Sequence, residues 1–201
     1  NGYTLQQSLY NPSSLDIEET NEFHRWESIT ESSVQEKAKW ASDRLIELQS
    51  IDREQLTERD SLIYDTLEYY LNATLKEEEL FYYQEFLTPN DGVQTEILSK
   101  LAQYRLKTEE DIASYFLLLQ DVPRYFSEIL LHEQKRAELG LFMTKHALEG
   151  VVSDCSDIIK NEKNLFIKDV FSNAVNEIEN VTRDQRKEYI EQHNAIIKET
   201  L

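Results

Sequence analysis

The chain has 201 residues, 40% of them apolar and 10% aromatic, and carries 39 acidic against 21 basic side chains for a net charge of −18. That length allows one domain, or two small ones, with a real core. The aromatic content excludes a disordered acidic tail, and the charge argues against nucleic acid, whose phosphates need clustered Lys and Arg.

Four glycines and three prolines are too few for a turn-rich β fold. The single cysteine, Cys155, rules out an internal disulfide framework and a multi-cysteine zinc site. The apolar run Phe116–Leu119 falls far short of the roughly 20 residues of a membrane span. The sequence opens at Asn1 and ends at Leu201 inside an amphipathic pattern, and so reads as a piece of a longer protein.

In chain order, Val34, Ala38, Ala41, Leu45 and Leu48 form one apolar helical stripe, with Ser33 and Glu36 as a capping box at its start. Asp52 to Arg59 is charged and reads as a turn. A second helix starts at Thr57, with Asp60 as its box partner, and its stripe holds Ile63, Leu67, Tyr70, Leu71 and Leu75. The acidic run Glu77-Glu78-Glu79 points its carboxylates in different directions and reads as a solvated face. Pro89 and the Asn90-Asp91-Gly92 sequence predict a tight turn, with Gly92 at positive φ. A short apolar segment then runs to Leu106.

Thr108 with Glu109, Glu110 and Asp111 marks a helix start, three acids sitting at the positive end of the dipole. Its stripe of Ile112, Phe116, Leu119, Val122, Phe126 and Ile129 continues toward Gly140, and Pro123 should kink or divide it. Three further amphipathic segments carry Leu148, Val152, Cys155 and Ile159; then Ile167, Phe171, Ala174 and Ile178; then Tyr189, Ile190, His193 and Ile197. The last begins at Thr182, with Gln185 as box partner. The pattern predicts an all-α fold, an irregular bundle of about six or seven amphipathic helices. It forms a single helical region over residues 1–201, with a subdivision placed near 88–107.

Chemical motifs are sparse. His132-Glu133 opens like a helical zinc motif, but Arg136 stands where the second His is needed, so an exposed helix surface is expected there. His24, His132, His146 and His193 share no ligand spacing, and no metal site is assigned to this chain. Cys155 lies on an apolar stripe and reads as a buried, inert thiol. Tyr69, Tyr70, Phe81, Tyr82 and Tyr83 could line a groove, but core packing is the expected role.

The order of several segments resembles the N-terminal half of the bacterial domain-of-unknown-function family 885. These are Tyr3-Thr4-Leu5 with Asn11-Pro12 and Leu15-Asp16-Ile17; Thr88 to Gln94, which matches a G-V-Q segment; Lys107 to Ile112 with Tyr115, Leu119, Val122-Pro123 and Tyr125; and Arg136 to Leu141. The resemblance covers about residues 3 to 160. In the family a proline usually follows the last segment, where this chain has Phe142-Met143-Thr144.

The resemblance implies a helical, zincin-like metallopeptidase whose zinc motif lies in a C-terminal half outside these residues. The chain would then be the N-terminal helical region of a carboxypeptidase-like enzyme. It would form one wall of the substrate cleft, lack the metal, and have a peptide substrate and its own C-terminal half as partners. The fragment alone would not be catalytic. The resemblance also implies a protein of the cell envelope, exported or lipid-anchored, with a cytoplasmic location left open. Gly92, Val93 and Gln94 are the candidate substrate-binding residues. Gln94 could hydrogen-bond a peptide backbone through both ends of its amide, or it could cap a helix or brace the turn. The other reading of the chain is a non-catalytic helical binding or scaffold module of the cell envelope.

Overall fold

The computed structural model describes residues 25–160 and 166–201. The opening motif with Tyr3, Asn11 and Leu15 lies outside them. The described residues are 77% helical and include no strand, so the fold is an all-α bundle. The α-helices are α1 (Glu31–Gln49), α2 (Glu58–Glu79), α3 (Val93–Gln103), α4 (Glu109–Gln120), α5 (Val122–Glu138), α6 (Lys145–Lys160), α7 (Phe166–Glu177) and α8 (Arg183–Thr200). Short 3-10 turns occupy Arg53–Gln55 and Phe81–Tyr83.

Threonine side-chain caps set the starts of α1, α2, α4 and α8. Thr108 with Asp111, and Thr182 with Gln185, form the expected reciprocal capping boxes. Thr57 accepts from the Asp60 backbone nitrogen. The first helix begins earlier than its stripe suggested: Thr30 is the N-cap and Ser33 its box partner, because the Ser33 hydroxyl turns back to the Thr30 nitrogen at 3.0 Å. Pro123 divides the fourth stripe. The α4 helix caps at Asp121, and α5 restarts with Pro123 in its first turn, where a missing N–H leaves no bond unmade.

Contacts divide the chain into two units. One comprises Ser28–Gln84 and Leu130–Phe142. Its α1 and α2 pair around Ala41, Leu48, Tyr64 and Leu71, with Leu45, Leu56 and Leu75 packed alongside. The α1 stripe faces inward as expected. The α2 helix is rotated from expectation: Tyr64, Leu71 and Thr74 are buried, while Ile63, Leu67 and Tyr70 are exposed. The aromatic patch also departs from a core role. Phe81 is buried, but Tyr69 and Tyr83 are exposed.

The other unit comprises Asn1–Glu27, Glu85–Ile129 and Met143–Leu201. Its core takes Ile97, Leu98 and Leu101 from α3, Ile112, Tyr115, Phe116 and Leu119 from α4, Ile167, Phe171 and Val175 from α7, and Ile196 and Ile197 from α8. Trp26 joins it through polar as well as apolar contacts. Its indole nitrogen donates to Leu118 O at 2.9 Å, its backbone nitrogen donates to Asp121, and its carbonyl accepts from Arg124. Arg124 forks onto Asp121 and also reaches Glu128. Bidentate charge-assisted bonds of this kind fix geometry as well as adding energy.

Candidate functional site

The turn from Thr88 to Gln94 is built by backbone bonds in which Thr88 O accepts from the Gly92 nitrogen at 3.1 Å and Phe86 O from the Val93 nitrogen at 2.9 Å. The left-handed residue is Asn90, at φ 69°. Gly92 has φ −74°, so the expectation of a positive φ at Gly92 is corrected. An asparagine tolerates that region because its short amide can bond locally. Gly92 is needed for space instead. A Cβ there would sit 2.1 Å from Gln94 Oε1 and 2.5 Å from the Thr88 nitrogen.

Gln94 is 2% exposed. Its Nε2 donates to Thr88 O at 2.6 Å and to Asp154 Oδ2 at 3.1 Å. The same Asp154 oxygen accepts from the Asn90 nitrogen at 3.0 Å. Of the two roles left open for Gln94, this geometry is that of a brace: the donor end of the amide is committed inside the protein. Its Oε1 is buried without a hydrogen-bond partner. Gly92 is buried, and Val93 is half-buried, the most accessible of the three candidates.

Asp154 was not singled out by sequence reasoning, and it explains how α6 lies. The stripe of Leu148, Val152 and Ile159 was expected to face the core, yet all three are exposed. Val151 is buried instead. Gly150 lies against Pro89, where a Cβ would come within 2.9 Å of the proline Cβ, and Asp154, one turn further on, binds the turn. A close backbone approach and a carboxylate that accepts from both the Asn90 nitrogen and Gln94 Nε2 therefore outweigh the apolar stripe. The signal present in the sequence was Gly150 followed four residues later by Asp154 on one helix face.

Beside this strap is a cavity of about 230 Å³, walled by Gln94, Ile97, Phe126, Cys155 and Ile158 among others. Cys155 is half-buried, not fully buried as expected, and burial pushes its thiol pKa up, with Asp154 adding to the shift. The thiolate fraction is correspondingly small.

His132 and His193 have structural roles, while His146 is exposed and His24 lies outside the described residues. His132 is 3% exposed, which corrects the expected surface position. Its Nε2 donates to Phe81 O at 3.1 Å, and its ring lies against Phe81 and Tyr82. Arg136, at the place of a second zinc ligand, binds the Glu133 carboxylate at 3.0 Å. These residues do not fit a zinc ion: one ring nitrogen is spent on a carbonyl, and the partner position carries a cation. No group of three His, Cys, Asp or Glu among the described residues is placed to hold a metal.

His193 is 0% exposed. It stacks on Phe171 at 4.0 Å and shares a hydrogen bond with the Tyr115 hydroxyl at 3.1 Å. Burial, with Lys168 adding to it, lowers its pKa to about 3.

A model of the family described as "Bacterial protein of unknown function (DUF885)" matches residues 14–201. No curated protein and no solved structure matches the chain.

Proposed function

The chain belongs to the DUF885 family of bacterial proteins of unknown function, and from that premise we propose that it is a helical region of a zinc-dependent, carboxypeptidase-like peptidase. In this reading it forms one wall of the substrate cleft, while residues outside this chain hold the zinc and activate its water. No catalytic step is assigned to its own side chains, because His132, Glu133 and Arg136 do not fit a metal site.

The observation that carries the reading is the strapped turn. Asp154 ties Asn90 and Gln94 across 60 residues or more of sequence. A turn held at both ends is suited to positioning a substrate, since orientation is worth orders of magnitude in rate. Within it Gln94 and Gly92 set the backbone, and Val93 is the side chain available to a peptide.

The exposed apolar stripe of α6 favours the second reading, a non-catalytic helical binding or scaffold module of the cell envelope, because large exposed apolar patches mark interaction surfaces. Assaying the full-length protein that contains this chain separates the two. Cleavage of a mixed peptide library, abolished by chelator and restored by zinc, is the expected result. A protein inert with and without zinc would leave the binding module.

A further inference from the structure

We propose that one face of the α1–α2 hairpin is a self-association surface on which a second copy of this chain docks, two hairpins completing a four-helix bundle. This does not depend on the peptidase reading. Ala41 and Leu48 of α1 against Tyr64 and Leu71 of α2 join the two helices to each other. Beside that seam each helix carries a second stripe. On α1 it runs through Lys37, Trp40, Arg44 and Glu47 to Ile51 just past the helix end; on α2 it runs through Asp60, Ile63, Leu67, Tyr70 and Thr74. Both advance by alternating steps of three and four, the spacing of a bundle seam. They open on the same side, since Leu48, Ile51, Leu56, Asp60, Ile63 and Leu67 line one groove.

Two observations commit the face to a second copy. The first is area. Thr74 is buried within the unit, but Trp40, Ile51, Ile63, Leu67 and Tyr70 are each 45–48% exposed. Half of five such side chains is on the order of 450 Å² of apolar surface. A standard interface takes about 800 Å² from each partner, a little over half of it apolar, so this face supplies what a dimer needs. The second is charge. The stripes carry Lys37 and Arg44 against Glu47, Asp60 and, one step further along, Glu77, so the face is within one charge of neutral in a chain of net charge −18. A two-fold interface sets a patch against its own copy, and only a patch with both signs in balance avoids repelling itself. A basic partner would find its counter-charges on the rest of this acidic surface, and this face offers it none in excess.

The test is sedimentation equilibrium of the full-length protein that contains this chain. A reversible dimer is expected, tightening as salt rises, because screening relieves the repulsion between two acidic chains while the apolar contact is unaffected. Ile63→Glu with Leu67→Glu, both at exposed positions, should weaken association at least about a hundredfold. Leu62→Glu, on the opposite side of α2 and 68% exposed, should leave it unchanged. Hydrogen exchange of the wild type needs no variant: protection of α1 and α2 should rise with protein concentration, and that of α4 and α7 should not. A full-length protein that stays monomeric at millimolar concentration would overturn the proposal and mean that the face is covered within one chain or stays open. A dimer that survives the double variant, that is broken equally by Leu62→Glu, or that leaves exchange in α1 and α2 independent of concentration would place the contact elsewhere and overturn it too.

Discussion

A Cβ at Gly92 meets Gln94 Oε1 and the Thr88 backbone at 2.1 to 2.6 Å, whereas one at Gly140 meets nothing within 4 Å. Gly140 instead has φ 76°. Gly92→Ala should therefore destabilise the protein by about 2 kcal/mol through overpacking against backbone. Gly140→Ala should cost about 1 kcal/mol through conformation alone. Denaturant midpoints at unchanged m-value would measure both, and equal losses would contradict the distinction. Gln94→Ala belongs to the same scale. As a brace, Gln94 should lower the melting temperature when truncated, corresponding to about 1–3 kcal/mol. A near-unchanged melting temperature would return Gln94 to the role of a surface substrate contact. His193 sets a pH dependence. Its folded pKa of about 3 lies below the usual 6.5, so the unfolded chain binds more protons between those values. Its contribution is complete above pH 6.5 and is lost as pH falls toward 3, at about 1.4 kcal/mol per unit. Against wild type, His193→Gln, which can keep a bond to Tyr115, should show a shallower loss of stability between pH 6.5 and 5. Parallel curves would exclude His193 as the source.

At the level of elements, the helix starts show what a sequence can carry. The boxes at Thr108 and Thr182 are local, and three residues suffice to define them. The start of α1 was misplaced because Ser33 can serve as either end of a box, and only the approach of its hydroxyl to the Thr30 nitrogen decides which. Pro123 was legible as a break because its ring acts on the residues beside it. Being in the first turn of α5, it sacrifices no helical bond, and Pro123→Ala should change stability by less than about 0.5 kcal/mol. A loss of several kcal/mol on thermal melting would place it inside a helix instead. The faces of α2 and α6 were not legible. Periodicity finds an apolar stripe, but the buried face of α6 is chosen by Gly150 against Pro89 and by Asp154 on the turn, contacts about 60 residues away in sequence. The candidate site was half legible for the same reason. Gly92, Val93 and Gln94 were located by motif, while the partner that gives the turn its geometry lies on a distant helix.

At the scale of the whole chain, 18 uncompensated negative charges repel one another in the compact state, and most of the ion pairs are exposed and worth little each. Raising salt from about 10 to 200 mM should therefore raise the melting temperature, since screening relieves long-range repulsion more than it weakens short pairs; a fall would mean the pairs dominate. The two units differ more in their cores than in their charges. In the unit of Ser28–Gln84 and Leu130–Phe142, the cluster between α1 and α2 rests on Ala41, Leu48, Tyr64 and Leu71, and much apolar surface of α2 faces outward. In the other unit, α3, α4, α7 and α8 converge on one continuous core in which Phe171 stacks on Tyr115 and His193 and packs at a tilt against Phe116. Buried apolar area is the main favourable term in folding, and local opening follows where it is scarce. Native-state hydrogen exchange should therefore find the α1–α2 hairpin opening at lower denaturant than α4, α7 and α8, and by more than the about 1 kcal/mol that any single contact contributes. Protection lost from all these helices at one denaturant concentration would mean that the two units unfold as one cooperative body, and that the smaller core is supported by more than its own packing.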